Sequence, residues 1–340
     1  MHARTFVTGL LALCLASQLP AQEAAKPGDT LIAKWKDDRT AVFLLMFDDS
    51  WPSHWQVAAP ELAKRGLIAT FYICPAKGEF KVYAAKWEQE LWKQGMVYAV
   101  HTMTHGGIKD KEHGQYEIGE CAKAIRTMVP PLKDQLVSYG RPGVKQGAWN
   151  ITNEEEAALL KEHNLIDRPP FTGHGAVYHL KTTEEMLALA DKAIAAKDME
   201  YLVVHGVERV GPVVKYQDFW PLPQAVFFPL LDGLKARVEK GDLWMTDHIS
   251  WHQYQTEREA AEVQVAETTD KSIRLTLTCK ADAKYYQLPL TLVTNVPAAW
   301  QTCQITQGSQ KTTVAVTNGT VKFDAVPDGK DIVLEPVAKP

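Results

Sequence analysis

Cysteine is scarce in this chain, with five in 340 residues. No two are spaced Cys-x-x-Cys, so neither a thiol redox motif nor a thiolate zinc site is indicated. No Gly-x-Gly-x-x-Gly follows any candidate strand, which leaves a dinucleotide-binding fold without support. A Gly-x-Ser-x-Gly elbow is also missing, so nothing points to an acyl-enzyme. Basic residues are not in excess: 37 Lys and Arg stand against 41 Asp and Glu, a formal charge of −4. A nucleic-acid partner would require a basic face, and none is expected. Long apolar runs are absent as well. The run over residues 6–16 is too short to span a bilayer, so no stable membrane span is expected.

That short run lies between a weakly positive start, His2 and Arg4, and a small, polar exit over residues 17–22. This is the pattern of a secretory signal, with cleavage near Ala21 or Gln22. Residues 1–22 are therefore set apart as a signal peptide. The rest is expected to work outside the cytoplasm, secreted or in the periplasm or cell envelope, where disulfides are permitted. The cysteines that remain are Cys74, Cys121, Cys279 and Cys303, and the last two share a β-rich segment in which they could pair.

What the chain does contain is organised around Val42-Phe43-Leu44-Leu45-Met46-Phe47-Asp48-Asp49, an apolar run that ends in two carboxylates. A run of this length and composition reads as a buried strand. In α/β folds, catalytic residues collect at the C-terminal ends of such strands. Strand and helix then alternate. Apolar strands are expected over residues 67–74, 96–100, 135–138, 165–166, 201–204 and 242–246. Helices are expected over 58–65, 82–93, 116–129, 152–163, 182–196 and 224–240. Gly66 and Gly95 close the first two helices, and Thr152-Asn153-Glu154-Glu155 caps another. Such alternation over residues 23–257 implies a parallel sheet, and about seven units favour a distorted (β/α)7-type barrel. Beyond residue 258 the pattern changes to period-2 stretches such as 272–279, with turn pairs at Asn318-Gly319 and Asp328-Gly329. Residues 258–340 are expected to form a small all-β sandwich, with residues 251–262 as the joint.

Several expected strand ends carry polar residues: Asp48 and Asp49, His101 with His105, Arg141, and His205. In a parallel barrel all strand C-termini open on one face, so these groups can converge. Two imidazoles four residues apart plus a carboxylate suit a divalent metal with an open position for water, zinc above all.

The order Phe47-Asp48-Asp49, then His101-Thr102-Met103-Thr104-His105, then Arg141-Pro142, then a strand-end His205 resembles the polysaccharide deacetylase family. This is also called carbohydrate esterase family 4 or the NodB-homology domain. The resemblance covers about residues 40–257. It implies a distorted barrel that removes acetyl groups from an acetylated polysaccharide or oligosaccharide with the help of a metal. By position it implies Asp49, His101 and His105 as metal ligands, Asp48 as general base and His205 as general acid. Arg141 would orient Asp48 and compensate its charge, with Asp167 as a candidate partner for Arg141. The sequence departs from the family at Met46 and Ser50, at Tyr201 and Val203, and in the third motif. That motif usually continues arginine-x-proline-aromatic, whereas here Arg141-Pro142-Gly143-Val144 follows. The side chains that bear chemistry are kept. Two other readings use the same residues: a non-catalytic glycan-binding protein, and a hydrolase of a non-carbohydrate amide. Trp51, Trp55, Trp149 and Trp220 follow motif positions, where aromatic rings could pack on sugar faces or serve the core.

Overall fold

The computed structural model describes residues 26–171, 176–177, 179–210 and 218–337. The expected signal peptide lies outside the described residues. Among those described, no helix is long and apolar enough to cross a membrane.

The strands of the first part of the chain are β1 (Thr30–Ile32), β2 (Ala41–Asp48), β3 (Thr70–Ile73), β4 (Val97–Val100), β5 (Val137–Tyr139), β6 (Leu165–Asp167), β7 (Ala176–Val177), β8 (Met199–Val204) and β9 (Leu243–Thr246). All but β1 form one parallel sheet in the order β6-β5-β4-β3-β2-β8-β7, with β9 also beside β2. The sheet curls with helices against it, and this is the distorted barrel expected from the sequence.

β2 is buried along its whole length because both of its faces are covered. Phe43, Leu45 and Phe47 pack with the surrounding helices, in a cluster that includes Leu62, Phe227 and Leu231. Val42, Leu44 and Met46 face the inside of the curl, with Tyr72, Ala99, Tyr201 and Trp35. A strand buried on two sides needs an unbroken apolar sequence rather than an alternating one.

The helices follow their sequence signals closely where caps are strong. Thr152 and Thr182 each form a capping box at the start of the helices Asn153–Glu162 and Thr183–Ala196. The stretch expected as one amphipathic helix over 82–93 is instead broken into short α, π and 3-10 turns between Gly78 and Gln94. Its Trp87 is fully buried between Phe80, Phe71 and Tyr98. Seating one large ring among several others takes precedence over a regular helical repeat.

The second part contains β10 (Ala261–Thr268), β11 (Ile273–Cys279), β12 (Leu290–Asn295), β13 (Thr302–Gln307), β14 (Gln310–Ala315), β15 (Thr320–Ala325) and β16 (Asp328–Pro336). They form a five-stranded sheet, β10-β11-β16-β13-β14, and a three-stranded sheet, β1-β12-β15. Ile273, Leu275 and Leu277 of one sheet share a core with Leu290, Leu292 and Phe323 of the other. β1, which reads as a polar lead-in, is thus a strand of the far sheet. Asn318 and Gly319 do form a left-handed turn, at φ 52° and 75°. It closes a tight antiparallel bridge between Thr317 and Thr320 and carries the chain from one sheet to the other.

Cys279 and Cys303 do not pair, and all four described cysteines are free thiols. β11 and β13 lie on opposite sides of β16, which separates them by two strand spacings, about 10 Å. A disulfide cannot bridge that distance.

The joint is a helix, His248–Ala260, rather than a linker. Its Tyr254 donates to the carbonyl of Ala33, and its Trp251 packs inside the curled sheet. On the same helix Glu257 is fully buried. Its Oε1 accepts the Leu288 N–H at 2.8 Å and its Oε2 has no partner among the described residues. Burial pushes this carboxyl up to about 7, the Leu288 N–H only partly opposing. The folded state therefore holds the proton more tightly than the unfolded one. The stabilisation is complete at pH 4 and falls as pH rises through about 7. Glu257→Gln is expected to raise stability by roughly 1–3 kcal/mol at pH 8 and by little at pH 4.5, by urea unfolding at both values. An equal gain at both would show that ionisation is not the cause.

Candidate active site

The site is assembled by strand register. Asp48 lies opposite Tyr72, and the ladder continues one residue past the strand ends. Asp49 N–H donates to the Tyr72 carbonyl, His101 N–H to Ile73, Gly140 N–H to Val100 and Arg168 N–H to Tyr139. These lateral bonds, 2.8–3.2 Å long, hold residues far apart in sequence side by side on one rim. With His105, Arg141, Phe171, His205 and Phe219 they line a cleft of about 670 Å³.

Asp49, His101 and His105 bring three ligand atoms within 4.8 Å of one another. The backbone is bent to do so: Asp49 has φ 82° and His105 φ 61°. Such left-handed conformations cost energy in residues with side chains and persist where surrounding contacts enforce them. The contacts are present. Thr102 Oγ1 accepts the His105 N–H at 3.1 Å. Buried Glu117 accepts the N–H and the hydroxyl of Thr104 at 2.9 and 2.6 Å. Ser50, where the family usually has glycine, accepts the Cys74 N–H through its hydroxyl at 2.8 Å.

The three residues fit a divalent cation on their own chemistry. His101 Nδ1 lies 2.6 Å from the Gly140 carbonyl, a contact that requires the proton on Nδ1 and leaves a lone pair on Nε2. That Nε2 faces Asp49 Oδ1 at 3.4 Å, and His105 Nε2 faces the same oxygen at 3.0 Å. Asp49 Oδ1 is buried without a hydrogen-bond partner among the described residues. Acceptors gathered around one point call for a positive charge between them.

Asp48 is 3% exposed, and the structure places Arg168 rather than Arg141 against it. The guanidinium makes a fork, with contacts of 2.8, 3.1 and 3.1 Å to the two carboxylate oxygens. Burial pushes the Asp48 carboxyl up, but Arg168, with His101, outweighs this and leaves it below its ordinary value. Arg168 lies over the faces of Tyr72 and Phe171, 4.6 and 4.8 Å from the ring centroids. It passes above Gly140, where a Cβ would come within 2.8 Å of Arg168 Nε.

The expectation that Arg141 compensates Asp48 is thus corrected. Arg141 lies on the rim, over Trp149 at 4.3 Å and 3.3 Å from Glu156, so Asp167 is not its ion-pair partner either. The physical reason is reach: Arg168 leaves β6 beside Tyr139 and is already buried over Tyr72. The signal was present in the sequence. Arg168-Pro169-Pro170-Phe171 has the arginine-x-proline-aromatic order that Arg141 lacks.

His205 follows β8, and its Nε2 is 4.0 Å from Asp49 Oδ2. Burial lowers its pKa even though Asp48 and Asp49 pull it up. Phe219 stands edge-on to it at 5.4 Å. His54, which sequence reading passed over, is fully buried and its Nε2 bonds the backbone carbonyl of His205. Burial brings His54 down to about 4, so it is a neutral prop.

A curled parallel sheet with a carboxylate pair and two histidines at its strand ends is a scaffold for hydrolysis. Residues 36–157 match the family described as polysaccharide deacetylase. The matched stretch contains Asp48, Asp49, His101, His105 and Arg141, and ends before Arg168 and His205. Among curated proteins, a gellan lyase from Bacillus sp is 20% identical over 309 residues, 83% of this chain but 12% of that protein's length. A family 4 carbohydrate esterase from Streptomyces lividans, solved with acetate, is 14% identical over 60% of this chain and 90% of its own, with a TM-score of 0.42. The peptidoglycan deacetylase PdaC from Bacillus subtilis is 13% identical over 65% of this chain and 94% of its own, with a TM-score of 0.42.

Proposed function

We propose that this protein is an exported, metal-dependent hydrolase that removes acetyl groups from a carbohydrate polymer. One observation carries the reading: a buried carboxylate locked by an arginine fork stands beside a three-ligand cation site in one open cleft. A binding protein has no need for that pairing. Asp49, His101 and His105 would hold the cation, zinc by the nature of the donors. When bound, such an ion supplies Lewis acidity for the acetyl carbonyl and an acidified water.

The chain's own residues do the rest. Asp48, kept ionised and aimed by Arg168, accepts a proton from the attacking water. It is too acidic to keep that proton. His205, on the same cleft, takes up the proton that Asp48 releases and delivers it to the departing nitrogen or oxygen. His54 fixes the backbone from which His205 projects. The rim aromatics Phe171 and Phe219, 47% and 44% exposed, offer faces on which sugar rings can pack.

Two readouts test this. The zinc-loaded protein is expected to release acetate from an N-acetylglucosamine oligomer or from acetylated xylan, and a chelator should stop it. Independently of activity, zinc should raise Tm by several degrees, because it binds only the folded site. His105→Ala should abolish that shift. A Tm indifferent to saturating zinc, with no acetate from either polymer, would remove the reading.

A further inference from the structure

Arg141 has no role in holding Asp48, yet it lines the same cleft beside Pro142 and Gly143. Its side chain is 44% exposed. Its guanidinium lies over the Trp149 ring, 4.3 Å from the centroid. Among the described residues it makes one hydrogen bond, at 3.3 Å to Glu156 Oε2. The other oxygen of Glu156 accepts the Tyr139 hydroxyl at 2.7 Å. A guanidinium carries five N–H donors, so most of those on Arg141 are not spent on the described residues.

The charge around it also matters. Among the described residues, the carboxylates that line the cleft are Asp48 and Asp49. Asp48 is neutralised by Arg168, and Asp49 faces the cation site. No uncommitted acid among the lining residues would repel a negative ligand. A half-exposed arginine on a cleft wall whose described lining acids are both committed is an arrangement for a carboxylate, which its fork matches in two-pronged fashion.

Resting on the deacetylase reading, we propose that Arg141 binds a carboxylate borne by the polymer, so that the substrate is an acidic, uronate-type acetylated polysaccharide. Arg141 determines specificity in this proposal and takes no part in the chemistry. Selectivity arises because a neutral sugar at that position leaves the guanidinium to water, whereas an acidic sugar gains a charge-assisted pair.

The test separates binding from turnover. Affinities of the zinc-loaded protein for an oligogalacturonide and for a xylo-oligosaccharide of equal length are measured by calorimetry. Wild type is expected to prefer the acidic oligomer by about ten- to thirty-fold, the worth of one hydrogen-bonded charge pair. Arg141→Gln should erase the preference, Arg141→Lys should keep part of it, and added salt should narrow it. Equal affinities in wild type, or a preference that survives in Arg141→Gln, overturns the proposal. Acetate release from acetylated forms of the two polymers is scored separately. Release with no preference for the acidic polymer defeats this inference and leaves the deacetylase reading standing. An Arg141-dependent preference with no release from any polymer does the reverse.

Discussion

Asp48→Asn is expected to lower acetate release by roughly 10²- to 10⁴-fold while zinc remains bound. The carboxamide keeps the shape of the side chain and an oxygen for the Arg168 fork, but it cannot take a proton from water. The cation ligands are left intact, because Asp49, His101 and His105 do not depend on Asp48 for their placement: Asp49 is bonded through its N–H to Tyr72, and His101 through its ring to Gly140. Zinc content measured on the purified variant should therefore equal that of wild type. Full activity in Asp48→Asn would mean that another group accepts the proton. Loss of zinc together with activity would mean that Asp48 belongs to the ligand set. A secondary cost is expected in Tm, since Arg168 is 7% exposed and would lose its counter-charge.

The parts of this architecture that could be read from the sequence are those encoded locally. β2 declared itself because burial on both faces demands an unbroken apolar run, here Ala41 to Phe47, with no charged interruption until Asp48. The helices Asn153–Glu162 and Thr183–Ala196 declared themselves because their capping boxes are contiguous sequence. His101 and His105 were legible because both belong to one short segment, and their convergence on Asp49 then follows from parallel register. What could not be read depends on partners chosen in three dimensions. β1 is three residues long and has no pattern of its own; it is a strand because β12 offers an edge. His54 lies in a π turn that no periodicity marks, and it matters only through the His205 carbonyl. The choice between Arg141 and Arg168 lies between these two cases: the continuation Pro169-Pro170-Phe171 marks Arg168, but only the fold shows why it is the one that reaches Asp48. Both follow short strands and both precede proline, so position along the chain favours neither. What decides is that Gly140 leaves open the space above Tyr72, and Arg168 occupies it.

That choice yields the second large effect. Arg168→Met is expected to destabilise the protein by about 3–5 kcal/mol and to reduce turnover as severely as Asp48→Asn. Asp48 and Arg168 have side chains only 4% and 6% exposed. Removing the guanidinium strands a carboxylate in a buried position next to Asp49, and the expected response is for Asp48 to take up a proton and cease to be a base. Adding Asp48→Asn to Arg168→Met should restore much of the lost stability, because a pair without charge has little left to desolvate. Measured by urea unfolding, the cycle between positions 48 and 168 should then give a coupling of several kcal/mol, well beyond the 0.5 kcal/mol within which independent sites add. The same cycle between Asp48 and Arg141 should give almost none. Arg141 pairs with Glu156 at a half-exposed position, where an ion pair contributes about 0–1 kcal/mol. The two cycles thus discriminate between the arginines without reference to substrate. A strong 48–141 coupling with a weak 48–168 coupling would return Arg141 to the role that motif order suggested and would remove it as a reader of acidic sugars.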